Sequence, residues 1–335
     1  MNNWVWAINN KGNITKCFAE EENRGKRRCN HVFHQNKNLE SLEEFLEKTS
    51  KFKFISTDGL NGVNFKKADL VVGGAQTKWW DEDGKNLYKQ DTNDHSRELI
   101  QWNALSEEFV SQFLNNIDEK NNIKCAEYET VFIDGKIGCI SKNFLKENET
   151  LHEFSELLSD NDMEFITNID NENFDEKFEY LCEKIKNKTN YDISNDIIKL
   201  IKIDIITMNA DRHFGNIGLV FNEKTKIFEF STIYDNGQCL LSENIYNNID
   251  AYDYKKFDLP GLSIFGMFPM KNYIKFALKH SNKENNISIN MHKMENFIEN
   301  YKNPYYDENK VEKVKWLLWD NLEIYEELGV INNED

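Results

Sequence analysis

Proline and long apolar runs are what this sequence has least of. Only three of its 335 residues are proline, so no Pro-rich linker divides the chain. No uninterrupted apolar run approaches membrane-spanning length, and the mean hydropathy is −0.70. The six cysteines follow no framework pattern, as expected for reduced thiols. These scarcities exclude a membrane-spanning chain and a disulfide-stabilised secreted scaffold from the predicted classes.

Positive charge is also in short supply. Lys and Arg number 41 against 58 Asp and Glu, which gives a net charge of −17 and a pI near 5.0. This balance argues against direct binding to nucleic acid or to an anionic membrane. The first six residues lack the basic region and the apolar stretch of a signal peptide. The sequence therefore predicts a cytoplasmic protein, long enough for two domains or lobes.

Chemically useful groups are concentrated in two short segments near the middle of the chain. The first runs from Asp211 to Asn216 and reads D-x-x-x-x-N, and the second places Asp235 two residues before Gly237. A carboxylate such as Asp211 can position and deprotonate an attacking hydroxyl. The Asn216 carboxamide and the Asp235 carboxylate are hard oxygen ligands that suit Mg²⁺. Gly237 would let the backbone bend sharply after the second ligand.

The spacing between the two segments has a structural explanation. Residues 217–221 and 226–230 alternate as strands and are joined by the turn-forming residues 222–225, which predicts a hairpin. A hairpin brings Asp235 back beside Asn216. Asp, Asn and Gly are common in any loop, but here an amphipathic helix is also predicted directly before the motif, over residues 194–208. Its N-cap is predicted to be Ser194 or Asn195.

Residues 204–240 resemble the catalytic core of the HipA-like kinases, bacterial serine/threonine kinases that include toxins of toxin–antitoxin pairs. The Asp-Arg-His form of the loop also resembles that of the phosphatidylinositol 3-kinase group. The resemblance implies that Asp211 is the catalytic Asp and that Asn216 and Asp235 bind magnesium. His213 would stabilise the loop or approach the transferred phosphoryl group. Arg212 would brace the loop, with Asp204 as one candidate partner.

A second match lies upstream, in residues 72–78, which resemble the G-A-Q-x-K nucleotide loop of HipA-like proteins. Small residues allow the backbone to approach phosphate closely, and successive N–H groups can point at an anion; the alternative is an ordinary turn. Thr77 is the only hydroxyl there, and some relatives carry a regulatory autophosphorylation site in this loop. The residues assigned to nucleotide binding on this basis are Gly73, Gly74, Ala75, Gln76, Thr77 and Lys78.

A kinase of this kind also needs a strand lysine on the nucleotide phosphates and a helical glutamate that orients it. Lys89 follows the glycine loop at a suitable distance and is the predicted lysine. The glutamate should lie on the next helix, predicted over residues 98–115, where residues 106–114 resemble the helix of the family and indicate Glu107. The alternatives are Lys78 and Lys85 for the lysine, and Glu98 and Glu108 for the glutamate.

The adenine contact is predicted from order along the chain. Residues 126–133 and 136–141 alternate as strands, and Asp134-Gly135 between them is a strong hairpin signal. In kinase-like folds the chain leaves this sheet through a hinge whose backbone binds adenine. Residues 141–145 occupy that place, and Lys142 and Phe144 are assigned to the hinge.

The segment 24–34 is a basic exception to the overall acidity. Cys29, His31 and His34, with Cys17 nearby, could be read as zinc ligands, but their spacing matches no standard finger. A basic surface for an acidic partner or phosphate is another interpretation. A solvated loop is the interpretation that we favour.

The last third of the chain shows helical periodicity over residues 273–280, 290–301 and 311–328. Trp316 and Trp319 are predicted to pack in the core or between lobes. The loop 259–269, punctuated by Gly and Pro, is predicted either to form a substrate surface or to cover the core.

Together these patterns predict an α+β, two-lobed, protein-kinase-like fold. Residues 1–142 would form a β-rich N-lobe, with an N-terminal extension over 1–55, and residues 143–335 a mainly helical C-lobe. ATP and Mg²⁺ would bind in the cleft, and the predicted acceptor is a protein serine or threonine. The resemblance also allows for an antitoxin partner. Alternatives are a small-molecule or lipid kinase, a nucleotidyl transferase, and a pseudokinase that only binds nucleotide.

Overall fold

The structure is a computed structural model. It describes residues 4–9, 12–18, 31–34, 46, 49–55, 65–67, 76–81, 83–91, 93–94, 99–100, 102–117, 122–242 and 260–333. Only the main chain is described for residues 4–6, 14–18, 31–34, 65–67, 93–94, 99–100 and 260–263.

The described residues form strands β1 to β18 and helices α1 to α8, numbered along the chain. The strands are β1 Trp4–Asn9, β2 Ile14–Phe18, β3 His31–His34, β4 Phe54–Ile55, β5 Phe65–Lys67, β6 Lys78–Asp81, β7 Asn86–Gln90, β8 Asn93–Asp94, β9 Leu99–Ile100, β10 Tyr128–Ile133, β11 Lys136–Lys142, β12 Glu149–Glu153, β13 Gly218–Asn222, β14 Ile227–Phe230, β15 Pro260–Ser263, β16 Gly266–Pro269, β17 Ser288–Ile289 and β18 Asn332–Asn333. The helices are α1 Asn103–Asn116, α2 Phe154–Leu157, α3 Asp160–Thr167, α4 Phe174–Thr189, α5 Ser194–Thr207, α6 Met270–Lys279, α7 Met291–Asn300 and α8 Glu308–Glu327.

The chain forms two compact units. Unit 1 comprises Met1–Thr92, Tyr128–Asn143 and Asn303–Asp307, and unit 2 comprises Asn93–Glu127, Phe144–Lys302 and Glu308–Asp335. Strands predominate in unit 1, and the described α-helices α1 to α8 lie in unit 2, which confirms the predicted α+β class. The prediction placed residues 93–127 in the N-lobe, whereas the structure groups them with unit 2. The physical reason is that α1 packs against α7 and hydrogen-bonds the segment 236–239.

Unit 1 contains a six-stranded sheet in the order β4-β10-β11-β7-β6-β5. The strands pair antiparallel except β4 and β10, which are parallel. The predicted hairpin of β10 and β11 is present, and Asp134 and Gly135 at its tip have the positive φ angles, 46° and 81°, of a tight turn. Tyr88, Val131 and Ile133 form a buried apolar cluster of this sheet. Lys89 lies on β7, which is an interior strand because it pairs with β11 on one side and with β6 on the other.

Unit 2 positions the two predicted segments around α5. The apolar face of α5, which includes Ile197 and Ile201, is buried. The helix ends at Met208, which has the left-handed conformation. Strands β13 and β14 form the predicted hairpin, and β12 adds a third strand. The predicted cap at Ser194 or Asn195 is wrong: the N-cap is Ile193. The Ser194 N–H is satisfied instead by Asp192 Oδ1, at 3.1 Å.

The C-terminal helices α6, α7 and α8 agree with the predicted periodicity, with two revisions. Trp316 is 47% exposed, so its predicted core position is wrong, because α8 buries Val314, Leu317 and Leu318 on its other side. The loop 259–269 contains the hairpin of β15 and β16, whose tip buries Phe265 against aromatic rings. This favours the interpretation that it covers the core. None of the helices in the described parts of the chain is both long and apolar enough to cross a bilayer.

Candidate active site

The loop 211–216 is closed by its own side chains. The Asn209 side-chain oxygen accepts a 2.9 Å hydrogen bond from the Asp211 N–H, and Asn216 Nδ2 donates to the Asp211 carbonyl, also at 2.9 Å. Gln238 Nε2 donates to Asp211 Oδ2 at 3.0 Å, which holds the carboxylate from the neighbouring segment. The D-x-x-x-x-N spacing therefore gives a compact loop in which the positions of Asp211 and Asn216 depend on each other.

Arg212 joins this loop to the segment around Asp235. Its side chain is 1% exposed and its Nε and Nη2 donate to the Asp204 carboxylate at 3.0 to 3.1 Å, so the proposed brace is present. Nη1 donates to the carbonyls of Asn216, at 3.1 Å, and Tyr234, at 2.9 Å. Because one guanidinium nitrogen holds both carbonyls, the main chains that carry Asn216 and Asp235 are brought together, as the hairpin prediction required.

Asp235 is held in an uncommon backbone conformation. Its φ is 57°, in the left-handed region that residues other than glycine seldom adopt. The residues on both sides are fixed: Arg212 binds the Tyr234 carbonyl, and Glu107 Oε2 accepts a 2.8 Å hydrogen bond from the Asn236 N–H. Arg212 Nη2 also donates to Asn236 Oδ1 at 2.9 Å. The Asp235 backbone is thus over-determined by two buried charged side chains.

Helix α1 supplies the other half of this support. Asn103 Nδ2 donates to the Gly237 carbonyl at 3.0 Å, and Ser106 Oγ donates to the Cys239 carbonyl at 2.9 Å. A Cβ added at Gly237 would lie 3.2 Å from Asn103 Cβ and 3.5 Å from Glu107 Oε1. Glycine suits this position because the loop passes close to α1, and Gly237 does not have a positive φ.

His213 has a local role in the loop. Its Nδ1 accepts a 3.0 Å hydrogen bond from the Gly215 N–H, which caps the short 3-10 turn Phe214–Asn216. In the neutral ring the proton must then be on Nε2, which lies 4.0 Å from Asp211 Oδ1. His213 is 39% exposed, so this nitrogen is also accessible. The geometry suits loop stabilisation and leaves Nε2 beside the Asp211 carboxylate.

An aromatic pair lies next to the loop. The rings of Phe144 and Tyr234 are stacked, with centroids 5.8 Å apart and an interplanar angle of 24°. The Tyr234 hydroxyl donates to the Gly215 carbonyl at 3.2 Å. Phe144, assigned from sequence to the hinge, is therefore in contact with the segment that carries Asp235. Lys142, the other hinge residue, is exposed at the end of β11.

In the predicted nucleotide loop, Gly73, Gly74 and Ala75 lie outside the described residues. Thr77 is exposed, and Lys78 begins β6. Gln76 Nε2 is buried and makes no hydrogen bond to any described residue. Buried donors without a partner are rare in native proteins, so this amide fits a group that donates to a ligand.

Burial separates the three candidate lysines. Lys89 is 2% exposed, and its Nζ lies 5.1 Å from the centroid of the Tyr128 ring. Lys85 is exposed and pairs with Asp83 at 2.9 Å, and Lys78 is half-buried. This favours Lys89 as the lysine with a specific role.

Of the candidate glutamates, Glu107 is fully buried in α1. Glu108 is half-buried and accepts hydrogen bonds from Gln112 and Tyr301. Glu98 lies outside the described residues. Lys89 belongs to unit 1 and Glu107 to unit 2, and their pairing stays a prediction.

The donor set fits magnesium. Asn216 Oδ1 accepts no hydrogen bond from a described residue, although the amide is fixed through its Nδ2. The loop 211–216 and the segment around Asp235 carry two carboxylates, Asp211 and Asp235, and are bound by those of Asp204 and Glu107, against the one guanidinium of Arg212, so negative charge is in excess. Among the described residues no group of three or more His, Cys, Asp or Glu side chains could bind a metal. A site with one carboxylate and one carboxamide is typical of Mg²⁺ that also binds substrate phosphates. The zinc interpretation rests on side chains of segment 17–34, which are not described.

The thiols beside the site are unsuited to covalent chemistry. Cys125 and Cys239 are buried, and burial raises the pKa of both thiols. Asn236 Nδ2 donates to Cys125 Sγ at 3.6 Å. A thiol that stays protonated at neutral pH is a poor nucleophile. The other groups that this site offers are the Asp211 and Asp235 carboxylates and the Asn216 carboxamide.

Sequence reasoning missed the side chains that hold the predicted ones in place. These are Asn103, Ser106, Asn209, Tyr234 and Gln238. Gln238 and Tyr234 adjoin the D-x-G motif, and Asn209 precedes the loop by two residues, so proximity to the motifs was the available signal. Asn103 and Ser106 are more than 130 residues away from their partners in the chain and gave none.

No family model matches the chain, and no curated protein matches its sequence. Among solved structures, the Helicobacter pylori proinflammatory kinase CtkA is similar, with 18% identity and a TM-score of 0.49 over 76% of this chain and 92% of that chain. HipA of Shewanella oneidensis MR-1, solved with HipB and operator DNA, has 13% identity and a TM-score of 0.45, over 85% of this chain and 71% of that chain. The latter bears the name of the family that the motifs resemble. Both are similarities of fold.

Proposed function

We propose that this protein transfers the γ-phosphoryl group of ATP, with Mg²⁺, to a serine or threonine hydroxyl of a protein. The observation that carries the proposal is the joint fixation of the loop 211–216 and the Asp235 segment by Arg212 and Glu107. In this proposal Asp211 would serve as the general base, and Asn216 and Asp235 would provide the oxygen ligands of a divalent cation. Phosphoryl transfer needs positioning and charge neutralisation more than covalent catalysis.

Asp211 accepts a hydrogen bond from the acceptor hydroxyl and takes its proton as the oxygen attacks the γ-phosphorus. The new phosphorus–oxygen bond forms as the bond to the bridging oxygen breaks, and ADP leaves. Gln238 keeps the Asp211 carboxylate in place from its second oxygen. Asn216 and Asp235 would hold Mg²⁺, which neutralises phosphate charge when bound. His213 supports the turn that carries Asn216.

The protein acceptor, the nucleotide contacts of Gln76 and Lys89, and the adenine contact near Phe144 belong to the proposal as well. They are supported by the resemblance of residues 72–78 and 204–240 to HipA-like kinases, and by the burial of Gln76 Nε2 and Lys89. An antitoxin partner follows from the same resemblance and stays a prediction.

The test uses the full chain, Mg²⁺, and ATP labelled at either the γ- or the α-phosphate, with the protein itself and a basic protein such as histone as acceptors. We expect label from the γ-position on Ser or Thr. Asp211→Asn and Asp235→Asn should each lower the rate about a hundredfold or more. The matched control is Asp170→Asn, at an exposed loop position. Label from the α-position would indicate nucleotidyl transfer. Label from neither, or transfer undiminished in both variants, would contradict the proposal.

A further inference from the structure

A cavity of about 390 Å³ lies in unit 2 and uses no residue of the loop 211–216 or of the segment 234–239. Its walls come from the start of α5, the end of β14 and the residues 122–124. Its size is within the range of small-molecule sites. The function proposed above assigns it no role.

The cavity has balanced charge and an apolar floor. Lys124 and Lys199 provide two ammonium groups, and Asp196 and Glu229 provide two carboxylates, so the formal charge of the lining is zero. Lys124 and Glu229 are mostly exposed, 4.0 Å apart, and form the rim. Asp196 and Lys199 are half-buried. The floor is apolar and consists of Leu200, Ile203 and Ile233, each at most 8% exposed.

Asp196 has one oxygen available for a ligand. The Tyr191 hydroxyl donates to Asp196 Oδ2 at 3.0 Å, which fixes the carboxylate. Asp196 Oδ1 accepts no hydrogen bond from a described residue. Burial raises the pKa of Asp196 and lowers that of Lys199, so both charges are partly withdrawn from water. Charged groups of this kind in a cavity are more common at binding sites than on ordinary surfaces.

We infer that this cavity binds a small zwitterion with an apolar side chain, a free amino acid in chemical class. The ligand ammonium would meet Asp196 Oδ1, its carboxylate would meet Lys199, and its side chain would lie on Leu200 and Ile203. An anion such as phosphate fits less well, because two carboxylates line the cavity and the protein carries a net charge of −17. A purely apolar ligand would offer no hydrogen-bond donor to Asp196 Oδ1.

The inference does not depend on phosphoryl transfer, because binding at this cavity can be measured without ATP. Calorimetry and thermal unfolding would be recorded for the full chain with each proteinogenic L-amino acid at millimolar concentration. We expect one or more of the apolar amino acids to bind and to raise the melting temperature. The amide and the N-acetyl derivative of the best ligand each lack one charge and should bind about tenfold more weakly or worse.

Two variants locate the binding site. Asp196→Asn and Lys199→Met should each weaken binding about tenfold or more. The control pair is Asp83→Asn and Lys85→Met, an exposed ion pair that is not part of the lining, and it should leave binding unchanged. The derivatives of the ligand test the proposal even where a variant fails to fold. Binding by none of the amino acids, equal binding of the charge-deleted derivatives, or equal binding by both lining variants would overturn it.

Discussion

The fully buried carboxylate of Glu107 accepts a 2.8 Å hydrogen bond from the main-chain N–H of Asn236. In a kinase-like fold this helical glutamate is expected to orient a lysine. Here it also fixes the backbone directly after Asp235, where φ is 57°. The position of α1 and the conformation of the metal-ligand candidate are therefore coupled by one hydrogen bond, in addition to those of Asn103 and Ser106.

Replacing Glu107 by alanine should destabilise the protein by about 1–3 kcal/mol, because the buried Asn236 N–H loses its acceptor. The rate of phosphoryl transfer should fall by a larger factor in Glu107→Ala than in Glu107→Gln, because glutamine keeps an acceptor oxygen. Urea unfolding and single-turnover rates measure the two effects. Glu164→Ala, at an exposed position of α3, is the control and should change neither. Identical behaviour of the alanine and glutamine variants would show that the hydrogen bond is not responsible.

Arg212→Met should be the most destabilising of these substitutions, at about 3–5 kcal/mol, because Asp204 would be left charged and buried without a partner. The double variant with Asp204→Asn should lose less than the sum of the single losses, since it removes both charges. Equilibrium unfolding of the four proteins gives the coupling energy. The exposed pair Lys186–Asp192, 3.0 Å apart, is the control and should show a coupling below about 1 kcal/mol. Strict additivity at Arg212 and Asp204 would contradict the brace.

The parts of the site that sequence predicts well are those formed by neighbouring residues. The helix before Asp211, the hairpin of β13 and β14 and the turn at Asp134-Gly135 follow from local periodicity and turn chemistry. The capping error at Ser194 has a local cause too: Asp192 Oδ1 accepts hydrogen bonds from both the N–H and the hydroxyl of Ser194, and Asp and Ser are both good caps.

Long-range packing is what sequence could not supply. The close approach at Gly237 comes from α1, whose contacting residue Asn103 is 134 positions away in the chain. Helical periodicity did not predict the exposure of Trp316. A large aromatic residue next to an apolar helix face is expected to be buried, whereas Trp316 is 47% exposed. The parallel pairing of β4 with β10 also depends on tertiary contacts.

Gln238→Leu should shift the acidic limb of the pH–rate profile of phosphoryl transfer to higher pH. The Gln238 amide donates to Asp211 Oδ2, and losing a donor to the ionised carboxylate favours its protonated form. Gln238→Glu should shift the limb further, because a second negative charge adds repulsion. Gln112→Leu, whose amide bonds Glu108 instead, is the control and should leave the limb in place. A lower rate with an unshifted profile would mean that Gln238 affects folding alone.

Two lysines are buried without a carboxylate partner among the described residues. Lys177 donates to the carbonyls of Asn168 and Phe265, at 2.7 and 2.9 Å, and Lys202 donates to the carbonyl of Asn285 at 3.2 Å. Both are wholly buried, and burial lowers the pKa of each from 10.5 to about 8. Between these values the unfolded chain binds more protons than the folded protein. Each lysine therefore costs stability below pH 8, and that cost disappears as the pH rises towards 10.5.

Lys202→Met removes this cost at every pH and sacrifices one long hydrogen bond. The stability of the variant relative to the wild type should therefore be greatest at neutral pH and should fall by about 2 kcal/mol by pH 10. Urea unfolding of both proteins at the two pH values measures this, and taking the difference cancels the alkaline titration of buried thiols and tyrosines. Lys275→Met, on the exposed side of α6, is the control and should show no pH-dependent difference. A Lys202→Met difference that stays constant between neutral pH and pH 10 would mean that Lys202 titrates alike in the folded and unfolded chains.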